Sequence, residues 1–278
     1  MSAETDQERC RNCGTELQGD FCHQCGQSSK VIRRPTREVL DDALGNVFHW
    51  DSRLFRTLRL LFFHPGRLSA EWVEGRRMRY VPPFRLYIIA SFVLFLLVGL
   101  STRQSSDDFQ AFSASDNAIK SLQASIDKAK EAGDWLEGII LQATLQAIQD
   151  PAAYFRKITS NLPKAAFVFL PLFALLHRLA NLRQKRFYID YLVFSLNFHA
   201  FSFLLIAIVL LAGLLSSFVG EFLELFYPLI LVYGIIAFRN FSQQGWGKSI
   251  LKGFLVFGAY ATVLSFGIAF YLAAVLFL

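Results

Sequence analysis

Apolar residues recur along this chain in two rhythms, and the switch between them divides it. Between residues 36 and 62 they return every three or four positions, the spacing of a helix face. Thr36 is a suitable N-cap for the first such helix, with Val39, Leu40, Ala43, Leu44, Val47 and Phe48 on one side. A second run, Leu54, Phe55, Leu58, Leu61 and Phe62, opposes Arg53, Arg56 and Arg59. Pro65-Gly66 breaks it, and a third short helix is predicted to start at Ser69 and carry Trp72. From residue 84 onward apolar residues run together instead. Five stretches are near the ~20 residues that cross a bilayer: 84–100, 162–182, 191–215, 222–238 and 254–278. The second is the weakest, because its clean core, 165–176, gives way to His177 and Arg178. The fourth contains Glu224 and Pro228. Between the first two lies a 101–161 segment that opens polar and then turns helical, with Ile119, Leu122, Ile126 and Ala129 in one helix. Trp135, Ile139, Leu145 and Ile148 mark another, ending at Asp150-Pro151.

Composition agrees: 54% of the residues are hydrophobic, 29 are phenylalanine, and the mean hydropathy is +0.37. The expected fold is an all-α polytopic membrane protein of about five transmembrane helices behind a small amino-terminal module. Charge decides in favour of the weak second stretch. Arg76, Arg77 and Arg79 precede the first stretch with Arg85 at its start, and Arg178 near the end of the second is followed by Arg183, Lys185 and Arg186. Arg239, Lys248 and Lys252 follow the fourth, whereas 216–221 holds no Lys or Arg. Five spans with the amino terminus cytosolic and the carboxyl terminus external place all three basic clusters inside. The polar start, with Glu4, Asp6 and Glu8, is unlike a secretory leader. The expected organisation is a metal knuckle at 1–29, basic amphipathic juxtamembrane helices at 30–83, and a membrane domain at 84–278 with the 101–161 loop outside. No internal repeat and no sustained heptad is visible.

All four cysteines lie in the first 25 residues, as Cys10-Arg-Asn-Cys13-Gly14 and Cys22-His-Gln-Cys25-Gly26. Each pair can grip one ion from a tight turn, and four thiolates complete a tetrahedron. The glycine after each pair suits a positive φ that turns backbone N–H groups toward sulfur. Zn2+ is the first choice; iron in a rubredoxin-like site fits the same ligands, and two disulfides would need an oxidising compartment. With all four positions filled by protein the site is structural, and so short a ribbon should fold only with its metal. His23 reads as a solvated turn residue.

Ionisable groups inside a span are costly and hence candidates for function. The third stretch has Asp190 at its mouth, then Ser195, Asn197, His199 and Ser202. Asp190 and Asn197 share one helical face, and Ser195, His199 and Ser202 the opposite one, so they form no single relay line. His199 reads as an interhelical hydrogen bond more readily than as a proton acceptor or metal ligand. His177, beside Arg178, reads as a head-group contact. Glu221 and Glu224 read as boundary residues. No metalloprotease, serine-hydrolase or phosphate-loop motif is present. Arg76, Arg77 and Arg79 before the first span are candidates for binding anionic lipid head groups. The net charge of +6 follows the membrane boundary rather than one stripe, which argues against nucleic acid.

At these residues the chain resembles bacterial integral-membrane proteins grouped as a domain of unknown function, fronted by a four-cysteine zinc ribbon. The resemblance rests on the Cys-x-x-Cys-Gly pairs, Phe48-His49-Trp50-Asp51, His64-Pro65-Gly66, the run from Glu74 to Phe84, and the run from Arg186 to Phe201. It covers most of the chain apart from 101–161. Tyr191 and Asn197 stand where more histidines are usual. It implies a bacterial inner-membrane location and no established activity. Two readings follow. The first is a non-enzymatic protein whose cytosolic ribbon and basic helices dock a protein or anionic lipid. The second is a small transporter or intramembrane enzyme using Asp190, Asn197 and His199.

Overall fold

The computed structural model describes residues 9–29, 52–104, 116–149, 151–215 and 227–275. The helix expected after Thr36 and the acids at 221 and 224 lie outside these residues. The described residues are helical behind a cysteine-bearing module that has two isolated bridges and no strand. The helices are α1 (Ser52–Phe63), α2 (Arg67–Val73), α3 (Pro83–Gln104), α4 (Asp116–Glu131), α5 (Trp135–Gln149), α6 (Pro151–Ala180), α7 (Tyr188–Leu215), α8 (Tyr227–Ser242) and α9 (Trp246–Val275).

Among the described residues four helices are long and apolar enough to cross a membrane, through Pro83–Ser101, Pro163–Ala180, Tyr188–Leu214 and Trp246–Ile268. The weak second stretch is one of them. The fourth expected stretch is described only from Tyr227, as the shorter α8; residues 222–226 are outside the described set. Pro151 does not only end a loop helix: it opens α6, where its missing N–H costs nothing. Pro163 and Pro171 lie inside α6. Around Pro171 the α7 hydroxyls reach across, Tyr188 donating to the Pro171 carbonyl at 2.9 Å and Ser195 to that of Leu170 at 2.9 Å. These two bonds tie α6 around Pro171 to α7.

The bundle is organised around α7. Of its membrane segment 72% is buried, against 11% for α9. Tyr191, Phe194, Phe198 and Phe201 of α7 pack with Phe173, Tyr233, Phe238 and Phe241 in one core. Phe92, Phe254, Leu255 and Phe266 point outward, as lipid-facing positions should. At 28 residues α7 is ~42 Å long, more than the ~30 Å of hydrocarbon in a bilayer.

α1 and α2 form an elbow wedged against α7 and α8. Leu61 and Leu68 enter the common core, and burying each contributes about 2 kcal/mol. The Tyr233 hydroxyl donates to the Leu61 carbonyl at 2.6 Å, and Asn240 Nδ2 to that of Pro65 at 2.9 Å. Gly66, at φ +76°, turns the elbow so close to α8 that a Cβ would lie 2.9 Å from the Ala237 carbonyl carbon. The far side of α1 carries Phe55 (79% exposed), Phe63 (76% exposed), Arg56 and Arg59. One face therefore packs on the spans, and the other mixes aromatic rings and guanidinium groups as interfacial helices do.

Candidate metal centre and the polar positions of the bundle

The two knuckles repeat one backbone pattern twelve residues apart, a local repeat confined to the cysteine module. Cys10 N–H donates to Thr15 O (2.7 Å) and Gly14 N–H to Cys10 O (2.8 Å); Cys22, Gln27 and Gly26 do the same at 2.8 Å each. The bridges Arg9–Glu16 and Phe21–Ser28 close the two hairpins. Gly14 and Gly26 have φ of 79° and 72°, as the sequence requires. The N–H groups that reach sulfur belong to the next residues, Thr15 toward Cys13 and Gln27 toward Cys25.

All four sulfurs lie within 4.8 Å of one another, with Cys10–Cys25 and Cys13–Cys22 at 3.5 Å. A tetrahedron with ~2.3 Å metal–sulfur bonds has edges of about 3.8 Å, so the four thiols fit one ion. They are free cysteines, far beyond the ~2.05 Å of a disulfide. The Thr15 hydroxyl and N–H hold Cys13 down to about 6, while burial pushes Cys25 up to about 12.

Next to the centre the module grips the juxtamembrane turn. Gln27, 7% exposed, donates through Nε2 to the Gly75 carbonyl at 2.7 Å and accepts the Arg77 N–H at 3.4 Å. Gly75 has φ +92°, and a Cβ there would stand 3.2 Å from Arg11 Cδ. No periodicity marks Gln27 as important. Its one sequence signal is its place directly after Cys-x-x-Cys-Gly.

The three candidate lipid arginines have different surroundings. Arg76 pairs with both Glu71 and Glu74, and holds the Glu71 carboxyl below its ordinary value. Arg77 lies over the Trp72 ring at 5.2 Å and donates from Nε to the Trp72 carbonyl at 3.2 Å. Arg79 is exposed. Arg56 and Arg59 on α1 are exposed as well.

Asp190, Asn197 and His199 are not brought together. Asp190 Oδ2 accepts the Phe187 N–H at 3.0 Å, the third helical residue reaching back to cap α7. Asn197 Nδ2 donates to Ser69 Oγ at 3.0 Å, fastening the elbow. His199 Nδ1 lies 2.8 Å from the Ser195 carbonyl and Nε2 lies 2.9 Å from the Tyr260 hydroxyl. Both nitrogens are thus engaged, one across helices as expected. His177 departs from expectation. It makes no surface contact but is fully buried among Tyr191, Phe194, Phe238 and Phe241, at ring distances of 4.4–5.7 Å. Those rings come from α7 and α8, remote in sequence, so its neighbour Arg178 was a poor guide.

The profile of a family described as "Protein of unknown function (DUF3667)" matches residues 51–95. That segment is the elbow, the turn gripped by Gln27 and the first half of α3. Neither a curated protein nor a solved structure matches the chain. The likeness to that family therefore falls on the part of the chain where the cysteine module meets the membrane helices.

Proposed function

We propose that the chain is a non-enzymatic protein of the bacterial inner membrane. Its zinc-bearing ribbon, with the elbow beneath it, forms a cytosolic platform for a protein or anionic lipid. The observation that carries this reading is the reciprocal hydrogen bonding of Gln27 with Gly75 and Arg77, two residues from a metal-ligand cysteine. It makes the ribbon part of the membrane entrance rather than a tethered appendage. Zinc suits four thiolates in a closed site. Hydrogen bonds from Asn240 to Pro65, Gln184 to Ser242 and Lys252 to Asn181 gather the basic segments at one end, which supports a cytosolic ribbon under the positive-inside rule. Phe21, 63% exposed on the ribbon, is available to a protein partner, and the outer stripe of α1 to lipid.

Full-length protein in mixed lipid nanodiscs tests the lipid arm. Retention of phosphatidylglycerol over phosphatidylcholine should fall when Arg56, Arg59 and Arg79 are changed to Gln, by ~1 kcal/mol for each charge lost. An unchanged preference in correctly inserted protein would refute a lipid platform. Elemental analysis should return about one zinc per chain.

A further inference from the structure

The α6–α7 and α8–α9 connections are stitched together at the basic end of the bundle. Asn181, 1% exposed, is the hub. Its Nδ2 donates to the His177 carbonyl at 3.1 Å, and its Oδ1 accepts from Gln244 Nε2 at 3.0 Å and Lys252 Nζ at 2.9 Å. Gln184 Nε2 donates to the Ser242 carbonyl at 2.9 Å. Arg186 Nη2 donates to the Phe241 carbonyl at 2.9 Å, with its guanidinium 4.3 Å above the Phe241 ring.

Two cations thus rest against neutral acceptors. Among the described residues neither Arg186 nor Lys252 has a carboxylate at ion-pair distance. Capping the carboxyl end of α8 explains Arg186 Nη2. It does not explain Nη1, which is buried with no hydrogen-bond partner. The hydroxyls of Ser249, 0% exposed, and Ser242, 5% exposed, also lack one, as do Gln184 Oε1 and Gln244 Oε1. A serine in a helix ordinarily turns to water or to the carbonyl four residues back; Ser249 does neither. Buried polar groups are normally paired, so this concentration marks a place built around something else. Gln184, Arg186, Gln244 and Lys252 are all half-exposed, so the corner borders solution although the unpaired atoms themselves are covered.

We propose that this corner binds a phosphate group. Arg186 and Lys252 supply the charge, and Ser242 and Ser249 donate to phosphate oxygens. The glutamine carbonyls receive the O–H of a phosphate monoester or of a glycerol head group. Free phosphate and an anionic lipid head group share this chemistry. The site is separate from the ribbon and the outer stripe of α1, and does not depend on the platform reading.

The test uses the full chain in detergent, titrated with inorganic phosphate, and in phosphatidylcholine nanodiscs with a minor fraction of phosphatidylglycerol. Saturable phosphate binding would identify a soluble anion; retention of phosphatidylglycerol alone would identify a head group. Either should weaken about tenfold in Lys252→Met or Arg186→Gln, the scale of a charge-assisted hydrogen bond. Ser249→Ala, a mild change that keeps the fold, should weaken it severalfold, whereas Cys22→Ser should leave it intact. The proposal is overturned if neither probe binds saturably, as when water alone fills the corner. It is equally overturned if folded Ser249→Ala and Lys252→Met bind as the parent does.

Discussion

The ribbon and the bundle are held together by opposite means. In the ribbon the buried apolar side chains are Cys10 and Cys22, themselves candidate metal ligands, beside the polar Asn12 and Gln27. In the bundle an aromatic core surrounds α7, and even the histidines are enclosed by rings. On the proposed reading the ribbon's fold is conditional on an ion and the bundle's is not. Because Gln27 joins them at one turn, a change of metal state can reach the membrane entrance without disturbing the core.

The largest effect should come from Cys22→Ser. It removes one of four ligands and with it most of a binding free energy on the order of 10 kcal/mol for structural zinc. The metal should be lost and the ribbon should unfold, while helical circular dichroism and thermal unfolding of the bundle stay as in the parent. A variant that keeps its metal, or a bundle that melts early, would break the comparison.

Next comes Gly66→Ala. The substitution forces a side chain into a left-handed turn and against the Ala237 backbone, so a loss on the order of 3 kcal/mol is expected. Thermal unfolding in detergent should register it with zinc content unchanged, the mirror image of Cys22→Ser.

Much of this division is legible in the sequence. Ligand spacing announces the knuckles, and long apolar runs announce the spans, because thiolate geometry and bilayer thickness each impose a simple length rule. The centrality of α7 is not legible: its polar residues stand on opposite faces, so no one face can be assigned to the interior. The burial of His177 is set by α7 and α8 across the fold. Arg76 is a different case, since Glu71 and Glu74 stand close enough in sequence to have been read as its partners. Gln27 and Ser249 carry their meaning only in three dimensions.

A smaller effect sharpens the bundle's side of the contrast. Tyr260→Phe removes the hydroxyl that meets His199 Nε2, and an interhelical hydrogen bond in a membrane is worth ~0.6 kcal/mol. Unfolding of the detergent-solubilised protein should shift only slightly if His199 is structural. A large loss would give that position more weight than packing alone explains.

Hydrogen exchange on the full chain, with and without a zinc chelator, tests the central claim most directly. Removing the metal should speed exchange throughout residues 9–29 and at the Arg77 amide, whose acceptor is Gln27, while the amides of α7 stay protected. Unchanged protection at Arg77, or loss of protection along α7, would contradict a metal-dependent ribbon clasped to a metal-independent bundle.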